Sequence, residues 1–460
     1  PGGANPLDTM NAAFSPKAPT LDPAKVMDAQ MALWRDYQAL WLNTTARLMN
    51  DEAEPVVKPA PGDTRFRDKA WSENPVFDFL KQSYLLNARW VESMLAQMEG
   101  LDVHSRRKVD FLGRQIVDAL APTNFALTNP VVLKEIAETK GENLTRGLAN
   151  LMADMKDGRH ALRPRQTDMD AFEVGVNIAT SPGSVIFQNP FMQLIQYAPT
   201  TDRVFKKPLL IVPPWINKFY ILDLGAENSF IRWIVEQGYT VFVVSWVNPD
   251  ESFAEMGFDE YAEGGIYAAL DAIEKATGER NVTAIGYCIG GTLLAAVLAR
   301  MAATGDARID AVAFFAAQAD FEEAGELRVF TDADTLRALR PKVESQGYLD
   351  DAAMATTFNA LRANDLIWYF VVNNYLMGKQ PPVFDLLFWN ADSTRFPARL
   401  FFDYIEKLYQ DNLLAKPGGM ELLGTPVDLS KIRIPMYIQA SKDDHIAPVT
   451  SVFRMMKLFS

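Results

Sequence analysis

The sequence predicts an α/β protein: a mostly parallel sheet flanked by helices, carrying a helical lid insertion and preceded by a helical N-terminal domain. Three observations predict it. From residue 23 to about 170 the apolar residues recur at helical spacing with no strand-like run among them. From about 184 to 316 short β-branched runs alternate with helical stretches. One of those runs ends in the glycine-rich turn Gly286-Tyr-Cys-Ile-Gly-Gly291, which opens another helix.

Composition sets the outer bounds. The 460 residues are 48% hydrophobic, enough for a large core and two or three domains. With 45 basic against 58 acidic side chains the net charge is −13, which argues against nucleic acid or anionic membrane surfaces as partners. A single cysteine, hence no intramolecular disulfide, fits a reducing, cytoplasmic compartment. No apolar run approaches the length of a transmembrane segment, and Pro1-Gly-Gly-Ala-Asn-Pro6 lacks the charged start and apolar middle of a signal peptide. No Cys or His spacing suggests a metal.

Taken in order, residues 1–22 are rich in Pro, Ala and small polar residues and read as a disordered arm. Met27, Met31, Leu33, Trp34, Tyr37, Leu40, Trp41 and Leu48 follow at helical spacing. This amphipathic helix either packs on its own domain or offers its two tryptophans to a partner helix or an apolar body. After a Pro-rich linker, Asn74-Pro-Val-Phe77 places Asn at a helix cap and Pro in the first turn, and this helix runs towards Gly100. Helical pattern also covers 104–120, 130–138 and 141–155, completing a helical domain over 23–170.

Residues 171–460 form the second domain. Ser184–Gln188 and Leu194–Ala198 read as an antiparallel pair, and Pro208–Pro213 and Tyr239–Trp246 as buried strands with the helix Glu227–Glu236 between them. The helix Tyr261–Ala276, the strand 281–286, its helix and the strand Ile309–Ala316 follow. From Asp320 to about Leu429 the alternation stops. Tyr348 to Tyr375 is helical and aromatic, so the insertion is either a lid over the strand ends or a plain extra helical layer. Strand pattern returns at Ile434–Ala440, before Ser441-Lys-Asp-Asp-His-Ile-Ala-Pro448.

Strand, glycine turn and helix at 281–299 have the form of a nucleophile elbow, G-x-S-x-G with Cys288 in place of Ser. A lone cysteine also serves as a small buried hydrophobe, but between Gly286 and Gly290 after a clear strand Cys288 reads as a nucleophile. The next residue, Ile289, then directs its N–H to where an oxyanion forms. The order of elements around this elbow is that of an α/β-hydrolase core, in which the acid loop follows the strand at 434–440.

Together with Pro122-Thr-Asn-Phe125 and Thr128-Asn-Pro130, the ordered words Val174–Gly183, Leu194–Pro199, Ile211-Val-Pro-Pro-Trp-Ile-Asn-Lys218 with its continuation to Asp223, Ser245–Asp250, Gly286–Leu293, Phe388-Trp-Asn-Ala-Asp-Ser-Thr394 and Asp443–Pro448 span nearly the whole chain. With them the chain resembles the class I polyhydroxyalkanoate synthases, acyltransferases that polymerise 3-hydroxyacyl-CoA into storage polyester. The resemblance implies Cys288 as nucleophile, Asp444 as catalytic carboxylate, and a covalent Cys thioester with release of CoA. A thiolate exchanges one thioester for another at little cost, and the retained thioester stays activated towards a hydroxyl, which a Ser ester would not.

In families of this fold the second oxyanion donor comes from the loop after the third strand, which makes the Ile216 N–H the candidate here. Family analogy places Trp389 and Asn390 at the pocket mouth. The Tyr287 and Ile289 flanks resemble synthases that take short groups such as (R)-3-hydroxybutyryl. No cofactor is implied, since the CoA thioester is the substrate. Lys218, Arg362 and Arg395 are each candidates for the CoA phosphates or plain solvated charges. The implied partners are the surface of cytoplasmic polyester granules and a second copy in a homodimer.

The family's catalytic histidine lies in a Gly-His-Ile-Ala-Gly word that the 460 residues do not contain. The expectation is a chain without its last strand and histidine segment, inactive as it stands and open at a sheet edge. Two other readings stay open: a Cys-dependent α/β hydrolase or thioesterase, and a non-catalytic granule-associated fragment binding through Trp34 and Trp41.

Overall fold

In a computed structural model of the chain, which describes residues 19–49, 53–160 and 162–459, the polypeptide divides into two units. One comprises residues up to Gln166 together with Phe358–Pro382, the other Thr167–Thr357 and Val383–Ser460. The arm expected over 1–22 lies mostly outside the described residues. At its end Thr20 bridges Glu99, and the Asp22 side chain caps the first helix.

The helical unit is built from α1 (Pro23–Leu48), α2 (Pro75–Ala96), α3 (Val103–Ala119), α4 (Pro130–Thr139) and α5 (Glu142–Lys156). Asn74 and Asn129 cap α2 and α4, each ahead of a proline in the first turn. On α1, Leu40 is fully buried with Val57 and Leu86, and Leu33 and Tyr37 pack beside them. Trp34 and Trp41 remain about two-thirds exposed. The helix therefore packs on its own unit along one stripe and leaves both tryptophans at the surface.

Part of the stretch assigned from sequence to the lid belongs to this unit. Gly147 leaves no room for a side chain against the Tyr375 carbonyl. Asn143 Nδ2 donates to the Leu376 carbonyl at 2.7 Å, and the Tyr375 hydroxyl donates to buried Asp154 at 2.8 Å. The reason is packing: a helical segment with polar anchors on α5 docks there whatever its place in the sequence.

The second unit contains a seven-stranded sheet of β1 (Gly183–Gln188), β2 (Met192–Tyr197), β3 (Leu209–Val212), β4 (Val241–Trp246), β5 (Val282–Tyr287), β6 (Ile309–Phe315) and β7 (Met436–Gln439), in spatial order 1-2-4-3-5-6-7. β1 and β2 are antiparallel to each other and β2 is antiparallel to β4, while all later pairings are parallel. β3 and the first four residues of β4 are buried throughout, as strands covered on both faces must be. On one face Leu209, Ile211, Val241, Val243 and Ile285 pack against Ile231, Ile234 and Val235 of α6 (Phe230–Glu236).

Two stretches differ from their sequence reading. The helix expected over 261–276 is interrupted by a π-helical turn at Ala262–Tyr267 before α7 (Ala268–Thr277). Tyr348–Leu349, expected to be helical, pairs as a short strand with Phe396–Pro397. Within this unit the segment 389–394 fastens to the loop after β3: Trp389 Nε1 donates to the Lys218 carbonyl at 2.7 Å and Thr394 Oγ1 to the Trp215 carbonyl at 3.0 Å.

Candidate active site

Cys288 sits between β5 and α8 (Ile289–Thr304) with φ 53° and ψ −131°. A non-glycine residue there carries strain of roughly 1–3 kcal/mol, and such strain persists only where the surroundings impose it. Here they do. The Cys288 N–H donates to the Phe315 carbonyl of β6 at 2.9 Å, and its own carbonyl accepts the N–H groups of Gly291 at 2.9 Å and Thr292 at 3.2 Å.

The two flanking glycines make the turn possible by close approach. A Cβ on Gly286 would lie 2.5 Å from the Gly291 Cα, and one on Gly290 would lie 2.5 Å from both the Val212 and Pro213 carbonyl oxygens. The first turn of α8 therefore presses against the end of β3. There Trp246 Nε1 holds the Pro213 carbonyl at 2.8 Å, and the chain turns through Trp215 and Ile216.

Cys288 is half-buried. Burial pushes its thiol up to about 11; the adjacent Ile289 N–H opposes the rise and the negative charge of Asp444 adds to it. Asp444 is half-buried and Asp443 exposed. Asp444 Oδ1 accepts the N–H groups of Ile446 at 2.8 Å and Ala447 at 2.9 Å, which fixes the carboxylate in a tight turn after β7.

Trp389 is tied by its indole N–H to the β3 loop, and Asn390 follows it, half-buried, on the helix Asp385–Ala391. Of the cationic candidates, Arg362 belongs to the helical unit and pairs with Asp365 at 2.7 Å. Lys218 lies 3.8 Å from Asp392, and Arg395 stacks over the Tyr348 ring at 4.8 Å.

The site also contains residues that no motif announced. Tyr404 and Tyr409 lie on a π-helical turn, Tyr404–Gln410, with ring centroids 5.5 Å apart and both rings against Phe321. Burial above all pushes both hydroxyls above the ordinary phenol range, and charge on Cys288 adds to it. A π turn often marks a functional position, but nothing in Asp403-Tyr-Ile-Glu-Lys-Leu-Tyr409 distinguishes it from an aromatic α-helix.

One consequence is measurable on this chain. Because the thiolate is the species that alkylates, reaction of Cys288 with iodoacetamide is expected to be slow at neutral pH and to climb about tenfold per pH unit towards pH 11. A profile that levels off near pH ~8.5, where an ordinary thiol titrates, would show that the site does not bury the sulfur.

Residues 62–234 match the family model described as the N-terminus of poly-beta-hydroxybutyrate polymerase (PhaC), and 207–459 match the model of the alpha/beta hydrolase fold. The chain is 50% identical to the poly(3-hydroxyalkanoate) polymerase of Methylorubrum extorquens over 98% of its own length and 75% of that protein's. It is 50% identical to the poly(3-hydroxyalkanoate) polymerase subunit PhaC of Rhizobium meliloti over 94% of its length and 70% of the relative's. With that subunit of Cupriavidus necator the identity is 39%, over 95% and 73%. Strand order, elbow and these matches agree: the chain belongs to the poly(3-hydroxyalkanoate) polymerase family, built on an α/β-hydrolase core.

Proposed function

We propose that this polymerase acts on short (R)-3-hydroxyacyl-CoA, with (R)-3-hydroxybutyryl-CoA as the representative substrate, through a thioester on Cys288 and with release of CoA. The single observation that carries the reading is the strained elbow, which presents the chain's one sulfur nucleophile beside the Ile289 N–H. The Cys288 thiolate attacks the acyl carbonyl. The oxygen, now negatively charged, is held by the N–H of Ile289 and, across the touching β3 loop, that of Ile216. The C–S bond to CoA breaks, and the CoA sulfur leaves with a proton. In the extension step the 3-hydroxyl of one unit loses its proton to a base and attacks the thioester carbonyl of another, forming an ester and freeing a thiol.

Asp444 supports this scheme as the charge that orients an imidazole base, since its Oδ1 is fixed by two backbone N–H groups at the site's edge. The mutually packed rings of Tyr404, Tyr409 and Phe321 support a small acyl group and limited water at the thioester. The polyester surface is the proposed partner, for which exposed Trp34 and Trp41 supply apolar contact.

The test is product analysis with (R)-3-hydroxybutyryl-CoA and the full-length polymerase. The expected result is free CoA in step with insoluble polyester. Free CoA with an equal amount of 3-hydroxybutyrate and no polymer would make the protein a thioesterase.

A further inference from the structure

The nucleophile and the acid stand on different elements, α8 and the loop after β7, yet one residue joins them. Gln318 lies three residues beyond β6, in Ala316-Ala-Gln-Ala-Asp320, and is 6% exposed. Its carbonyl accepts the hydroxyl of Thr292 at 2.7 Å. Thr292 is one of the two α8 residues whose N–H groups bond the Cys288 carbonyl. On the other side, Gln318 Nε2 donates to the Ile446 carbonyl at 2.6 Å, and the N–H of that same Ile446 holds Asp444 Oδ1.

The amide is itself held. The fully buried Ser451 hydroxyl lies 3.1 Å from Gln318 Oε1 and 2.6 Å from the Asp320 carbonyl. The Asp320 carboxylate accepts from Arg454 Nε at 2.7 Å and Asn412 Nδ2 at 2.9 Å.

From these contacts we infer that Gln318 is a positioning residue, a brace that sets the distance and orientation of Asp444 relative to Cys288. It rests on the reading of those two residues as the working pair. A buried network with its donors and acceptors satisfied is stiff, and removing one amide leaves the Ile446 carbonyl without its partner. The turn that carries Asp444 then loses its link to the elbow helix, while nothing that touches substrate changes. A displacement of about 1 Å at a catalytic group is enough to cost on the order of 10²-fold in rate.

The test uses the full-length polymerase and CoA release from (R)-3-hydroxybutyryl-CoA, with Gln318→Leu and the equally long, donor-free Gln318→Met, each also combined with Asp444→Asn. In the wild-type background kcat is expected to fall ~10–100-fold with KM within about twofold and the thermal midpoint little changed. In the Asp444→Asn background the same substitutions should cost less than about twofold, because there is no longer a carboxylate to place. Unchanged kcat would overturn the proposal. So would equal losses in both backgrounds, or failure of both variants to fold, since each marks a role in general stability. Cys288→Ala, run alongside, separates the two readings: activity surviving it removes the nucleophile assignment itself, whereas its loss leaves the Gln318 result to judge the brace alone.

Discussion

Cys288→Ser in the full-length polymerase is expected to lower CoA release from (R)-3-hydroxybutyryl-CoA by on the order of 10³-fold or more, and to abolish polymer, while leaving the fold intact. Serine is smaller than cysteine by the difference between oxygen and sulfur, and it meets the same backbone requirement at φ 53°. The hydrogen bonds of Cys288 with Phe315, to which it donates, and with Gly291 and Thr292, from which it accepts, are all made by the main chain and survive the change. What is lost is chemical. A hydroxyl is far harder to deprotonate than a thiol, and an oxygen ester retains less of the activation that chain extension draws on. Polymer formed at an unchanged rate would remove Cys288 as the nucleophile.

The second large effect is expected at the acid. Asp444→Asn should reduce turnover by ~10³–10⁴-fold, the scale on which loss of an orienting carboxylate acts in triad enzymes, whereas Asp443→Asn should change it by less than about threefold. The neighbours differ in surroundings and not in type. Asp443 is exposed, while Asp444 is half-buried, accepts two backbone N–H groups and acts electrically on Cys288. Asparagine keeps an oxygen for the turn, so the loss isolates the charge. Equal losses in the two variants would show that the loop presents a different residue to the site.

The elements that could be read from the sequence are those whose cause is local. β3 to β6 announce themselves as buried β-branched runs. The elbow is legible because Gly286 and Gly290 stand where any Cβ would strike backbone. The capped starts of α2 and α4 are written in Asn-Pro pairs. What escaped notice depends on distant partners. Gln318 is one polar residue in an alanine-rich stretch, and its three neighbours come from 292, 446 and 451. Tyr404 and Tyr409 lie on a change in helical pitch that residue types do not encode. The docking of 371–376 on α5 hinges on Gly147, a glycine that reads as a weak helix former until the crossing segment is seen.

The left-handed turn at 288 sets folding and chemistry against each other. Glycine is the residue that backbone geometry prefers, and the relief of roughly 1–3 kcal/mol would exceed the ~0.5–1 kcal/mol of extra chain entropy that glycine loses on folding. A lineage of this gene released from selection for polymer would therefore drift towards glycine at that position and gain stability as it lost activity. On the proposed mechanism, a cysteine is kept there by its chemistry and against the preference of the backbone.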